Sequence, residues 1–123
     1  MLVTEPAWAR CFGLWDEADE RLIGHVDLSG GRLTSEMHRC ELGIGNEAAW
    51  CGRGLGPRLM RTAIEFARAQ PTLAWLDLHV LSSNQRAFRL YQRWGFSETG
   101  FVRDRFRIAG ESVADIGMSY KLG

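Results

Sequence analysis

Cys51-Gly52-Arg53-Gly54-Leu55-Gly56 stands between a strand-like segment, Met37 to Gly45, and a helix-like one that begins at Leu55. Three glycines at alternate positions let the backbone approach an anion closely and take torsions that side chains forbid. The unpaired amides that open the following helix then face that anion, with the helix dipole behind them. Such a loop is a candidate cradle for a pyrophosphate. Glycine-rich turns also join strands to helices without binding anything, so the loop alone leaves both readings open.

Downstream of the loop, Leu55, Leu59, Met60, Ala63, Ile64, Phe66 and Ala67 recur at helical spacing from Leu55 to Ala69, with Arg58, Arg61, Glu65 and Arg68 left for solvent. Pro57 suits the first turn, where its missing donor has no consequence, and Pro71 ends the helix. Thr72 to Leu81 reads as a strand with Ala74, Leu76, Leu78 and Val80 on one face and Trp75, Asp77 and His79 on the other. Ser83 or Asn84 can cap a second helix that runs to about Trp94, with Ala87, Phe88, Tyr91 and Trp94 in one stripe and Gly95 placed to end it. Phe96 to Ile108 and Val113 to Leu122 form a closing hairpin around Ala109 to Ser112. In its second arm Ala114, Ile116, Met118, Tyr120 and Leu122 alternate with Asp115, Gly117, Ser119 and Lys121.

Upstream, Trp8 to Trp15 and Arg21 to Leu28 read as a hairpin around the acidic turn Asp16 to Glu20, with a further polar turn at Ser29 to Ser35. In the third strand, Met37 to Gly45, the glycines Gly43 and Gly45 point to a bulge or to close approach by a ligand.

With 46% hydrophobic and 24% charged residues, 123 residues suffice for one globular domain with a core. Lys plus Arg and Asp plus Glu both number 15, so no net field gathers nucleic acid or anionic membrane. Cys11, Cys40 and Cys51 are odd in number and lack metal-ligand spacing, which favours reduced thiols in the cytoplasm over a disulfide framework. The N-terminal residues lack the form of a signal peptide, and no apolar run reaches the length of a membrane span.

The second helix carries the more specific signal: Asn84-Gln85-Arg86-Ala87-Phe88-Arg89-Leu90-Tyr91-Gln92-Arg93-Trp94-Gly95-Phe96. A glycine loop opening one helix, followed in order by this Asn, Ala, Leu-Tyr, Gly-Phe pattern, resembles the GNAT superfamily of N-acetyltransferases. The segments Gly24 to Leu28 and His38 to Gly45 are similar to members too, and the resemblance covers approximately Leu22 to Leu122. A nucleoside triphosphatase fits less well, because Pro57-Arg58 stands where its loop needs Lys followed by Ser or Thr. A Rossmann domain also fits poorly, since the loop does not belong to the first strand-helix unit of a doubly wound sheet.

The resemblance implies an α/β (α+β) fold in which a mixed, mostly antiparallel sheet is flanked by helices, with residues 1–123 as a single, N-terminally abbreviated domain. It implies acetyl-CoA or another acyl-CoA as donor, no metal, and a primary amine as acceptor. The pantetheine arm would pair with Ile44, Gly45 and Asn46, and the pyrophosphate would lie on the loop from Gly52 through Arg53, Gly54, Leu55 and Gly56 to Pro57, which itself offers no N–H. Arg53 or Arg58 would add a charge-assisted contact, or else serve as a solvated helix face. The family often has Gln or Arg where this chain has Cys51, so backbone amides are the contacts expected there. Asn84 would reach the pantetheine region, a role compatible with capping its helix.

By the same resemblance Tyr91 is the candidate acid that protonates the departing thiolate, against the alternative of a core aromatic with a satisfied hydroxyl. The acceptor amine must lose a proton, and Glu41, His79 or a water chain is the candidate base. An imidazole titrates near neutrality, which suits His79. His25 and His38 are weaker candidates.

Members usually begin with a strand and one or two helices, and the resemblance implies that residues 1–123 do not include them, whether the protein is naturally short or its start has been lost. The expectation is a homodimer that covers the surface those helices would hide, around Trp8, Phe12 or Trp15. Two functions follow: an N-acetyltransferase acting by direct attack, or a non-catalytic acyl-CoA-binding or oligomerising module that has lost its acceptor site. The acceptor itself is not legible in the residues.

Overall fold

The amphipathic pattern after the glycine loop folds as expected: α1 (Leu55–Arg68) buries Leu55, Leu59, Met60, Ala63, Ile64 and Ala67 along one face. A computed structural model describes residues 2–18, 20–46 and 54–123. These contain the strands β1 (Ala9–Asp16), β2 (Arg21–Gly30), β3 (Arg39–Asn46), β4 (Trp75–Leu81), β5 (Ser97–Ile108) and β6 (Glu111–Lys121), and the helices α1 and α2 (Gln85–Trp94). They fall into two compact units, Met1–Leu76 with Leu122–Gly123, and Asp77–Lys121.

In the first unit β1 pairs antiparallel with β2, from Ala9 opposite Ser29 to Asp16 opposite Arg21, with an irregularity at Leu14 and Trp15. β2 pairs antiparallel with β3 from Gly24 opposite Asn46 to Gly30 opposite Cys40. Towards β2, Gly43 and Gly45 pair in unbroken register, opposite Asp27 and His25. Helix α1 packs on all three strands. Its apolar face meets the fully buried Trp8, Val26 and Leu28, and each such side chain contributes about 1.5–3 kcal/mol by leaving water.

Trp8, expected on an exposed surface, is therefore core. Backbone pairing of Gly30 N–H with the Trp8 carbonyl holds it inward, and its ring centroid lies 6.4 Å from that of Phe66. Phe12 packs on the same Phe66 at 5.3 Å. Of the three aromatics, Trp15 alone is largely exposed, at 64%. After α1, the Leu73 N–H donates to the Gln70 carbonyl in a turn, so β4 starts at Trp75 rather than Thr72. The His38 carbonyl accepts from the N–H groups of both Ala74 and Trp75. β3 and β4 thus begin side by side with α1 in the connection between them, the arrangement a parallel pair requires.

In the second unit the strand order is β4-β6-β5. Asp77 meets Ser119, His79 meets Asp115 and Ser82 meets Ala114, so β6 recedes as β4 advances and the two are antiparallel. β5 and β6 also pair antiparallel, with irregularities between Glu98 and Gly100 and between Val102 and Phe106. Their connection is tighter than the four residues expected. Ala109 and Gly110, at φ 51° and 79°, form a two-residue turn of the type that suits strand twist, so pairing begins at Ile108 opposite Glu111.

Helix α2 is amphipathic but shallow. Ala87, Phe88, Tyr91 and Trp94 are half-buried, and none of its residues is fully buried. Gly95 ends it at φ 104°, a left-handed torsion that favours glycine. The Phe96 N–H closes the cap onto the Tyr91 carbonyl at 3.0 Å.

Candidate functional site

Each unit carries part of the predicted set. In the first, Ile44, Gly45 and Asn46 form the end of β3, paired with Val26, His25 and Gly24. Glu41 lies upstream on the same strand, exposed and opposite Ser29. Cys51, Gly52 and Arg53 lie outside the described residues, as do their expected roles.

The loop's downstream half has the geometry of an anion-binding helix end. Gly54 is the N-cap of α1 at φ 78°, with no side chain capping the amides that follow. The first helical bond runs from the Arg58 N–H to the Gly54 carbonyl, and Pro57 has no N–H, which leaves the amides of Leu55 and Gly56 without helical acceptors. No acidic residue stands in this first turn, so the positive end of the dipole is not offset. Leu55 is buried and anchors the turn, while Pro57 and Arg58 are exposed. Residues fit for an anion are therefore present in the described half of the loop.

In the second unit α2 places Asn84 and Tyr91. The Asn84 Oδ1 accepts from the Ala87 N–H at 3.1 Å, which makes it the helix cap and leaves Ser83 without that role. Capping uses the oxygen; the Nδ2 donors are not consumed by it. Tyr91 lies two turns along, half-buried, with its ring centroid 5.9 Å from that of Phe96. Burial pushes its phenol above the usual tyrosine range, because the charged form loses water.

His79 lies on the exposed face of β4, and its Nδ1 is 3.2 Å from Oδ2 of Asp115 on β6. Beside it the Ser119 hydroxyl donates to the Asp77 carboxylate. Sequence reasoning missed Asp115, because alternation with Ala114 and Ile116 marks it only as outward-facing. The available signal was its parity: an acidic residue on the same face of an adjacent strand as His79. His25 lies 3.4 Å from Asp27, two residues along its own strand.

Thiol chemistry has little support among the described cysteines. Cys40 is buried. Cys11 is exposed, but its hydrogen bond to Asp27 pushes the thiol up, which disfavours the nucleophilic thiolate. Among the described residues no cluster of three or more His, Cys, Asp or Glu side chains could hold a metal ion, and no helix is long and apolar enough to cross a membrane.

Residues 2–96 match the model of the Acetyltransferase (GNAT) family. The chain is 37% identical over 89 residues to the N-alpha-acetyltransferase RimI of Mycobacterium tuberculosis, covering 72% of this chain and 54% of that protein. It is 27% identical over 82 residues to the L-amino acid N-acetyltransferase AaaT of Escherichia coli, covering 67% and 51%. The chain thus spans about half the length of the curated relatives it matches. Among solved structures, smu.2055 of Streptococcus mutans superposes with a TM-score of 0.83 at 25% identity, over 94% of this chain and 71% of that one. The spermidine/spermine N-acetyltransferase SpeG of Vibrio cholerae gives 0.78 at 27% identity, over 93% and 65%.

Proposed function

The chain belongs to the Acetyltransferase (GNAT) family, and from that premise we propose that it moves an acetyl group from acetyl-CoA to a primary amine by direct attack. Residues 1–123 act in this reading as one acetyltransferase domain. The observation that carries it is Tyr91: a half-buried phenol on a helix capped by Asn84 at one end and Gly95 at the other.

Acetyl-CoA supplies the activated acetyl group as a thioester. The amides of the loop from Gly52 to Gly56 hold its pyrophosphate, Pro57 sets the first turn, and Arg53 adds charge. Backbone groups of Ile44, Gly45 and Asn46 receive the pantetheine arm, and the Asn84 Nδ2 donates to it. His79 or Glu41, directly or through water, takes the proton that the amine must lose to form its N–C bond. Tyr91 gives its proton to the sulfur as the C–S bond breaks, so CoA leaves as the neutral thiol. No metal takes part.

The acceptor is an amine of a small molecule or a protein. Balanced charge gives nucleic acid and membranes no attraction, and the site of action is the cytoplasm. A homodimer covers the cross-strand pair Trp15 and Leu22, both exposed. The measurement that tests the activity is amine-dependent release of free CoA. Tyr91→Phe should abolish it while CoA still binds, and release that survives this change would refute the assigned acid. A second reading is a module that binds acyl-CoA or oligomerises without turnover. Tight CoA binding with no release across a broad amine panel would establish it.

A further inference from the structure

Asp115 is a half-buried carboxylate, its side chain 19% exposed, and among the described residues its polar side-chain partner is His79, which is 54% exposed. Removing a carboxylate from water is unfavourable, and an ion pair with so exposed a partner returns little stability. Stability is therefore a poor reason for this residue. Its place in the fold offers a better one. β4 and β6 are adjacent and antiparallel, and Leu78, Val80 and Met118 turn the opposite face into the core. Asp115 thus stands beside the imidazole, its Oδ2 3.2 Å from Nδ1. Asp77, the other acidic group on this face of β4, accepts from the Ser119 hydroxyl.

A neutral imidazole carries one proton, and the nitrogen that holds it is set by the bond it makes. A carboxylate accepts only, so an imidazole nitrogen facing it carries the proton. We propose that Asp115 is the positioning residue of the general base: it holds the Nδ1–H of His79, which leaves the lone pair on Nε2 to accept the proton of the amine. The inference rests on the acetyltransferase reading and deepens it by assigning the base to His79 rather than Glu41. The proton passes from the ammonium or the attacking amine to Nε2, and Asp115 stays ionised throughout.

The test combines nitrogen NMR of the 15N-labelled full chain, at a pH where imidazoles are neutral, with CoA-release kinetics on an active amine. In the unmodified protein His79 should show the single tautomer protonated at Nδ1; the tautomer protonated at Nε2 would overturn the proposal without any variant. Asp115→Asn should mix the tautomers and lower kcat about tenfold to hundredfold, within the range a positioned base contributes, with KM for the amine little changed. In a His79→Gln background the same substitution should lower kcat no further. An unchanged imidazole spectrum in Asp115→Asn, or an equal loss in both backgrounds, would refute the pairing. A chain that shows the Nδ1–H tautomer yet releases no CoA with any amine would instead count against the acetyltransferase reading.

Discussion

The two helices share a pattern and differ in depth. α1 buries six side chains and forms the core of its unit with β1, β2 and β3; α2 buries none, yet it carries Tyr91 and is capped by Asn84. Both have a glycine at a left-handed torsion at one end: Gly54 at the start of α1, Gly95 at the finish of α2. The contrast teaches how the labour is divided. α1 is anchored by apolar contact, and the amides at its N-terminus have no side-chain cap. α2 is bounded by its caps, and Tyr91 lies on its half-buried face.

Truncation in each helix probes that division. Leu59→Ala in α1 should cost about 2–5 kcal/mol, as for a fully buried leucine, read as a lower urea midpoint. Leu90→Ala on half-buried α2 should cost about 1 kcal/mol. Equal losses would contradict the difference in depth. The caps come next. Gly95→Ala forces a side chain into φ 104° and should cost about 1–2 kcal/mol, with the added Cβ 3.0 Å from Tyr120 Cε2. Asn84→Ala removes the bond to the Ala87 amide and should cost about 1 kcal/mol, with weaker CoA binding as well if Nδ2 donates to the cofactor.

The smallest effect is a matter of pH. The Tyr91 pKa is raised in the fold, so the folded state retains this proton more strongly than the unfolded chain. The associated stability is complete below the unfolded tyrosine value of about 10 and is lost as pH rises past it. Tyr91→Phe should remove that part of the alkaline decline in the urea midpoint. A decline identical in both proteins would place the titration elsewhere.

The local signals read well because each acts over a few residues. Helical spacing located α1 from Leu55, the Asn84 side chain and Gly95 bounded α2, and alternation marked β4 and β6. Errors arose where distant contacts intervened. Trp8 was assigned to the surface, yet Phe66, far along the chain, covers it. The hairpin turn shortened because pairing between β5 and β6 extends to the last residues that can reach.

The chain's order of residues was enough to establish which elements form and to which family they belong. Periodicity, caps and motif spacing are properties of neighbouring residues, and folding leaves them unchanged. The link between His79 and Asp115 is of another kind. Residues thirty-six positions apart in number become partners only when β4 and β6 lie side by side in one register, and a shift by one residue would turn Asp115 to the opposite face. Pairing of strands across the sheet, rather than any local pattern, therefore selects which carboxylate stands beside the imidazole.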